Sequence, residues 1–264
     1  MIFVPALAVL AAMTGVMLAA WAYGLSQKNG GWTDVFWTFG SGALLALAAL
    51  APTAAGDMPG ARRWLVAALA VVWSIRLGSY IGPRVAAHPE DPRYAAFRKA
   101  WGPAYARNML FVTLPQAPAT ALLSLSVLYA ARAPGPLGWR DALGVAIFIA
   151  AIAGEGLADG QMKRFKADPT NKGNVCDVGL WGWSRHPNYF FEWLLWVAYP
   201  AIGLDPSHPL TWLSLSAPVV MFVLLTRVSG IPPLEDSQLK SKGEAYAAYQ
   251  HRVSAFFPLP PHRA

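Results

Sequence analysis

Seven apolar stretches, each near the length a helix needs to cross a bilayer, constrain this chain more than any motif in it. They run over roughly 2–23, 35–55, 64–82, 108–131, 141–161, 187–204 and 209–231. A hydrocarbon core takes about 20 apolar residues as helix, and a backbone in lipid must satisfy its own polar groups. The pattern predicts an all-α integral membrane protein: a seven-transmembrane-helix bundle forming one domain over 1–264, with a tail from 232. Composition agrees, since 55% of residues are hydrophobic and only 13% charged, against about 25% charged in soluble domains. The same figures exclude intrinsic disorder. The first stretch has no basic leader and no A-x-A cleavage site, so it reads as a retained span. Pro115 and Pro118 interrupt the fourth stretch and Pro200 the sixth.

Orientation follows from the basic residues in alternate connections. Lys28, the set from Arg84 to Arg107, the set from Lys163 to Arg185, and Lys240, Lys242, Arg252 and Arg263 fall on one side, fifteen in all. The other side holds four: Arg62, Arg63, Arg132 and Arg140. The rich side is expected to be cytoplasmic, with the N-terminus outside and the C-terminus inside. The long connections 83–107 and 162–186 lie on that side too. Function is therefore expected there, where a soluble anionic cofactor can enter.

Ionisable groups within apolar spans cost about 2.5–3.5 kcal/mol each on insertion scales, and this chain has several. Glu155, Asp159 and Lys163 follow one another at intervals of four, so they share a helix face that Lys166 extends. Asn188 and Glu192 repeat the step on the sixth stretch, and Arg76 and Tyr80 on the third. Such groups either pair across helices as structural glue or line a polar pocket between helices. Three sets together point to the pocket. Arg185-His186-Pro187-Asn188-Tyr189 opens the sixth stretch. Pro187 suits a first helical turn, and the free N–H groups of that turn, beside Arg185, suit phosphate or carboxylate. Alternatively, Arg185 anchors lipid headgroups at the interface.

Several function classes are not expected. The single Cys176 excludes a disulfide framework and a Cys-based zinc site, and His186 has no second His or Cys at helical spacing, so no metal is expected. The formal charge of +7 comes without a basic run or aromatic–basic repeat, so no nucleic acid is expected. Neither G-x-G-x-x-G nor a P-loop occurs. A nucleotide would bind through side chains between helices.

Longer patterns carry a resemblance. One runs Asp159-x-x-x-Lys163-Arg164-Phe165-Lys166-x-Asp168-Pro169. A second runs Cys176-Asp177-x-Gly179-Leu180-Trp181-x-x-Ser184-Arg185-His186-Pro187-Asn188-Tyr189-Phe190-x-Glu192-Trp193. With Asp34-x-x-Trp37-x-x-Gly40, Arg76-Leu77, Arg227-Val228-Ser229-Gly230-Ile231-Pro232, Glu235, Tyr246-x-x-Tyr249-Gln250 and Phe256-Phe257-Pro258, they cover nearly the whole chain. The chain closely resembles a bacterial membrane family grouped with the steroid 5-alpha-reductases. Its Arg-His-Pro-x-Tyr element is also similar to that of sterol reductases and of isoprenylcysteine and phospholipid methyltransferases.

The resemblance implies seven spans in a bacterial inner membrane and a cytoplasmic cavity holding NADPH. By motif, Asn188 and Glu192 would contact the nicotinamide end and Asp159 the cofactor from the preceding span. Glu155 stands where the steroid enzymes have Asn, Lys166 where they have an Arg at the phosphates, and Arg76 and Tyr80 also face the cofactor. Lys163, Arg185, His186, Glu235 and Tyr246 complete the cofactor set, the tail closing the mouth. The steroid enzymes' Gln-Glu pair is absent from the second span, which reads Asp34-Val35-Phe36-Trp37, and Trp73 stands in place of their Tyr.

The expectation is an NADPH-dependent reductase of a carbon–carbon double bond in a hydrophobic, lipid-like substrate, working among membrane lipids. Its catalytic candidates are Asp34, Tyr189 and Glu192, and Trp37 and Trp73 would line the substrate cavity. Asp34 has a second reading, as the N-cap of the second helix. The alternatives are a SAM-dependent lipid methyltransferase, with Glu235 holding the cofactor's amino acid, and a non-enzymatic lipid-binding protein.

Overall fold

The protein is described by a computed structural model covering residues 2–261, so His262 and Arg263 of the basic side lie outside the described residues. Helix makes up 78% of the chain and the described residues form no strand, as the all-α reading expects. Eleven α-helices follow one another among the described residues. They are α1 (Phe3–Ser26), α2 (Trp32–Leu50), α3 (Ala61–Ala87), α4 (Pro92–Trp101), α5 (Tyr105–Thr113), α6 (Gln116–Ala131), α7 (Trp139–Ala167), α8 (Pro187–Gly203), α9 (Ser216–Val223), α10 (Ile231–Lys242) and α11 (Glu244–Arg252).

Six helical stretches are long and apolar enough to cross a membrane: Phe3–Ser26, Trp32–Leu50, Ala61–Ala87, Arg93–Ala131, Trp139–Ala167 and Pro209–Lys242. The chain is built as an integral membrane protein. On α1, Met13, Met17, Ala20 and Gly24 form the buried stripe, while Phe3, Val4, Leu7 and Leu18 point outward. Large apolar residues on an outer face are costly in water and at home against lipid tails.

The boundaries depart from the apolar stretches where local chemistry intervenes. Helix α2 stops at Leu50 rather than running to 55, because Ala51 precedes Pro52 and takes an extended ψ of 132°. The fourth stretch is two helices, α5 and α6, divided at Leu114-Pro115. The seventh opens in 3₁₀ turns over Pro209–Leu215, becomes α9, and widens into a π turn over Leu224–Val228. The 83–107 connection is largely helical: α3 runs on through Pro83 to Ala87, and Asp91 caps α4 by accepting from the Arg93 amide at 3.0 Å.

The helices pack as two compact units, Met1–Asp141 with Tyr199–Ala217, and Ala142–Ala198 with Pro218–Ala264. In the first, α2 and α3 approach closely because small residues face each other. Gly42 lies against Ser74, whose hydroxyl donates to the Thr38 carbonyl at 3.0 Å, and Gly78 lies against the Phe39 ring. Small residues let membrane helices gain dispersion contact where lipid removes the usual hydrophobic drive.

Polar side chains pin the connections at both ends of this unit. At one end Arg63 donates to the Ala49, Leu50 and Ala51 carbonyls, neutralising the C-terminus of α2, and to Asp57 at 2.6 Å. The hydroxyl and amide of Thr53 hold the Asp57 carboxyl down to about 2. Arg140 donates to the Leu204 carbonyl at 2.9 Å at this end as well. At the other end the Asn29 side chain donates to the Val85 carbonyl at 3.1 Å, and the Gly30 amide to Glu90 at 2.7 Å. Alternate connections of the first unit thus meet at opposite ends, as the basic-residue pattern requires.

Candidate functional site

The second unit holds most of the motif residues, and its local structure is built around α7. Gly179 takes φ +59° with its Cα pressed against Gln161 of α7, a place closed to any side chain. Gln161 accepts the Leu180 amide at 3.0 Å, and the Trp181 indole donates to the Ala158 carbonyl at 3.0 Å. The 174–186 segment is thereby folded back onto α7 beside Asp159. Tyr249 of α11 donates to the Trp181 carbonyl at 2.5 Å, which fastens the tail to the same segment.

The last residues run alongside it. The Arg185 amide donates to the Ser254 carbonyl at 2.8 Å, the Ser184 hydroxyl to the Phe256 carbonyl at 2.8 Å, and the Leu259 amide to the Trp183 carbonyl at 3.0 Å. Phe190, Trp193, Phe222, Phe256 and Phe257 close over this seam in edge-to-face contacts with centroids 5.2–6.3 Å apart. These contacts explain why α8 begins where it does and why its first turn is fixed.

At that first turn stands a node centred on Glu235 of α10. Arg185 donates to it from Nε at 2.7 Å and from Nη2 at 3.2 Å, and His186 Nε2 lies 3.0 Å from the same carboxylate. Gln250 donates to it at 2.7 Å and the Tyr246 hydroxyl at 3.4 Å. Arg185 Nη1 donates to the Gln250 and Val253 carbonyls at 3.0 and 2.6 Å. Every guanidinium nitrogen of Arg185 is therefore engaged within the protein. The structure gives this arginine the work of fastening the tail to α8, in place of the anion contact or lipid anchor that the sequence suggests.

His186 is 2% exposed. Burial pushes its pKa down, partly offset by the Glu235 carboxylate, so the ring is neutral near neutral pH. With Nε2–H donating to Glu235, Nδ1 carries the lone pair, and this buried atom has no partner in the protein. The Tyr189 ring lies parallel to the imidazole, 5.5 Å away at 13°. Burial, and then the Glu235 charge, push the Tyr246 phenol up, which keeps it a donor.

The remaining motif residues of this unit divide by depth. Glu155 and Glu192 are buried, Asp159 and Asn188 half-buried, and Lys163 and Lys166 exposed. Glu192 accepts the Trp196 indole N–H at 3.1 Å, one turn along α8. Gly154 packs directly under the Phe191 ring, bringing α7 against α8 beside Glu155 and Glu192. Sequence reasoning did not single out Gln161, or Trp181 and Tyr249 as anchors. Its signal was the Gly179–Trp183 run, read as too short a glycine pattern for a nucleotide loop.

The other candidates lie in the first unit. Arg76 sits over the Tyr80 ring at 5.9 Å, and Arg84 over the same ring at 5.8 Å. Asp34 is not a helix cap: Gly31 holds the cap position and Asp34 stands inside the first turn of α2. Its carboxylate instead accepts the Tyr94 hydroxyl at 3.0 Å and Arg93 at 3.3 Å, across to α4. Trp37 donates to the Thr120 hydroxyl at 3.0 Å and meets the buried Trp73 edge-on at 5.7 Å, so this pair is packed within the helix bundle. Among the described residues no three His, Cys, Asp or Glu side chains gather as metal ligands do.

Comparison with known proteins gives two matches. The family described as a protein of unknown function (DUF1295) matches residues 20–253. An uncharacterized protein of Schizosaccharomyces pombe is 34% identical over 102 residues, covering 36% of this chain and 27% of the relative. The aligned part of this chain thus spans about a quarter of the curated relative's length. No solved structure matches the chain.

Proposed function

This chain belongs to the DUF1295 family, and from that premise we propose an NADPH-dependent membrane reductase of the steroid 5-alpha-reductase-like group. It reduces a carbon–carbon double bond in a hydrophobic, lipid-like substrate. In this reading α8 is the seventh span, and the cofactor enters from a basic cytoplasmic face of a bacterial inner membrane. The observation that carries the reading is the Glu235 node, which fixes the first turn of α8 and with it the helix bearing Asn188 and Glu192.

The donor set fits the cofactor. Lys163 and Lys166 are exposed ammonium groups suited to phosphates. Asn188, Asp159 and Glu192 offer the amide and carboxylate partners that a carboxamide and ribose hydroxyls need. The unpartnered Nδ1 of His186 is a buried acceptor beside them. Arg76 and Tyr80 enter on the resemblance alone. NADPH, when bound, supplies a hydride. The protein's part is to hold the ring and the lipid in register, exclude water and deliver a proton. Tyr189 takes the proton-donor role, because both carboxylate oxygens of Asp34 are already engaged by Arg93 and Tyr94.

The methyltransferase alternative asks Glu235 to hold the amino acid of SAM. That carboxylate is already gripped by Arg185, His186 and Gln250, which favours the reductase. Titration of the purified protein in detergent separates the two. NADPH is expected to bind and SAM not. Charge-assisted contacts are worth about 1.5–3 kcal/mol each, so Lys163→Ala with Lys166→Ala should weaken NADPH roughly tenfold or more. Binding of SAM without NADPH, or an unchanged NADPH affinity in the double variant, counts against the proposal.

A further inference from the structure

At the end of the first unit, where the 51–60 and 132–138 connections meet, lies a cavity of about 350 Å³. Its wall carries three guanidinium groups, Arg62, Arg63 and Arg132, and one carboxylate, Asp57. Two of the arginines are locked in place. Arg62 grips Asp141 through Nε at 2.7 Å and Nη2 at 2.8 Å. It also donates to the Ala133, Gly135 and Pro136 carbonyls at 2.6–2.8 Å. Arg63 is held by Asp57 and the carbonyls that end α2. Those carbonyl oxygens are thereby turned to arginine rather than left facing an incoming anion.

Arg132 follows the last residue of α6, and burial together with the Arg63 charge pushes its guanidinium below its ordinary value. With Asp141 counted, these five side chains still carry one more positive charge than negative. A preorganised set of guanidinium groups with excess charge is the usual recognition element for phosphate, and the volume lies in the range of small-ligand pockets, about 300–1,000 Å³. Near this end Trp64 is 57% and Trp139 71% exposed, at the first turns of α3 and α7. Exposed indoles at the ends of apolar helices mark headgroup depth.

We propose that this cavity binds a phosphate group, carried by an anionic lipid headgroup or free in solution. The site is independent of the cofactor reading. Thermal unfolding of the full chain tests it in two arms: nanodiscs of phosphatidylglycerol against phosphatidylcholine, and detergent with or without inorganic phosphate. Phosphatidylglycerol should raise the melting temperature, Arg132→Gln should remove at least half of that rise, and Met58→Lys, at an exposed position of the wall, should enlarge it. A response to inorganic phosphate alone, again reduced in Arg132→Gln, assigns the free ion. Equal melting in both lipids with no effect of phosphate overturns the proposal, as does a lipid effect that neither variant changes. NADPH titration of Arg132→Gln should match the parent protein, which separates this site from the cofactor site.

Discussion

Replacing Glu235 with alanine should cost about 3–5 kcal/mol of stability, the loss found when one partner of a buried ion pair is removed. The side chains of Arg185 and Glu235 are only 10% and 12% exposed. Without the carboxylate, the Arg185 guanidinium stays buried with backbone carbonyls as its remaining partners, and His186 and Gln250 lose an acceptor. Glu235→Gln should fall between, since the amide keeps one acceptor oxygen but no charge. Unfolding in detergent, followed by Trp fluorescence, reads both. A Glu235→Ala protein that melts with the parent would mean that the tail is held to α8 by its aromatic seam alone.

A second large effect is expected at Gly203. A Cβ built there would lie 2.6 Å from the Ala130 amide nitrogen and 2.7 Å from the Tyr129 carbonyl carbon. Those are backbone atoms in the last turns of α6 and cannot swing aside as a side chain can. Gly203→Leu must push the end of α8 off α6, a cost of about 3 kcal/mol by the upper range for overpacked cores. Gly156→Leu is the control, because nothing lies within 4 Å of its Cβ position and leucine is a better helix former than glycine. The expected result is a clear drop in melting temperature for Gly203→Leu and none for Gly156→Leu. Equal stability of the two would show that α8 and α6 are not in close contact at this point.

The all-helical, membrane-spanning character of the chain was legible because twenty-residue apolar runs have few other uses. Helix limits were less so. That α2 would stop at Leu50 was available in Ala51-Pro52, whose steric rule outranks hydropathy. That Leu224–Val228 would widen into a π turn was not, since no residue type announces it. At the site, the spacing of Asn188 with Glu192 and of Glu155 with Asp159 could be read directly as shared helix faces. The partner of Arg185 could not, because Glu235 lies 50 residues on and only the folded tail brings it back. Asp34 shows the same limit. Both readings offered by its neighbours, cap or free acid, missed an ion pair with Arg93 made across 59 residues.

The central claim is that this protein moves a hydride from NADPH to a lipid. The most direct measurement supplies the purified protein with NADPH deuterated at the transferable position of the nicotinamide and with a lipid extract, and reads the lipids by mass spectrometry. The account predicts a lipid that has lost one double bond and gained one deuterium with one solvent proton, and the Glu192→Gln protein should make far less of it. Labelled lipid in equal amounts without the protein would contradict the account. So would a lipid that gains a methyl group from labelled SAM while the deuterium stays on the nicotinamide.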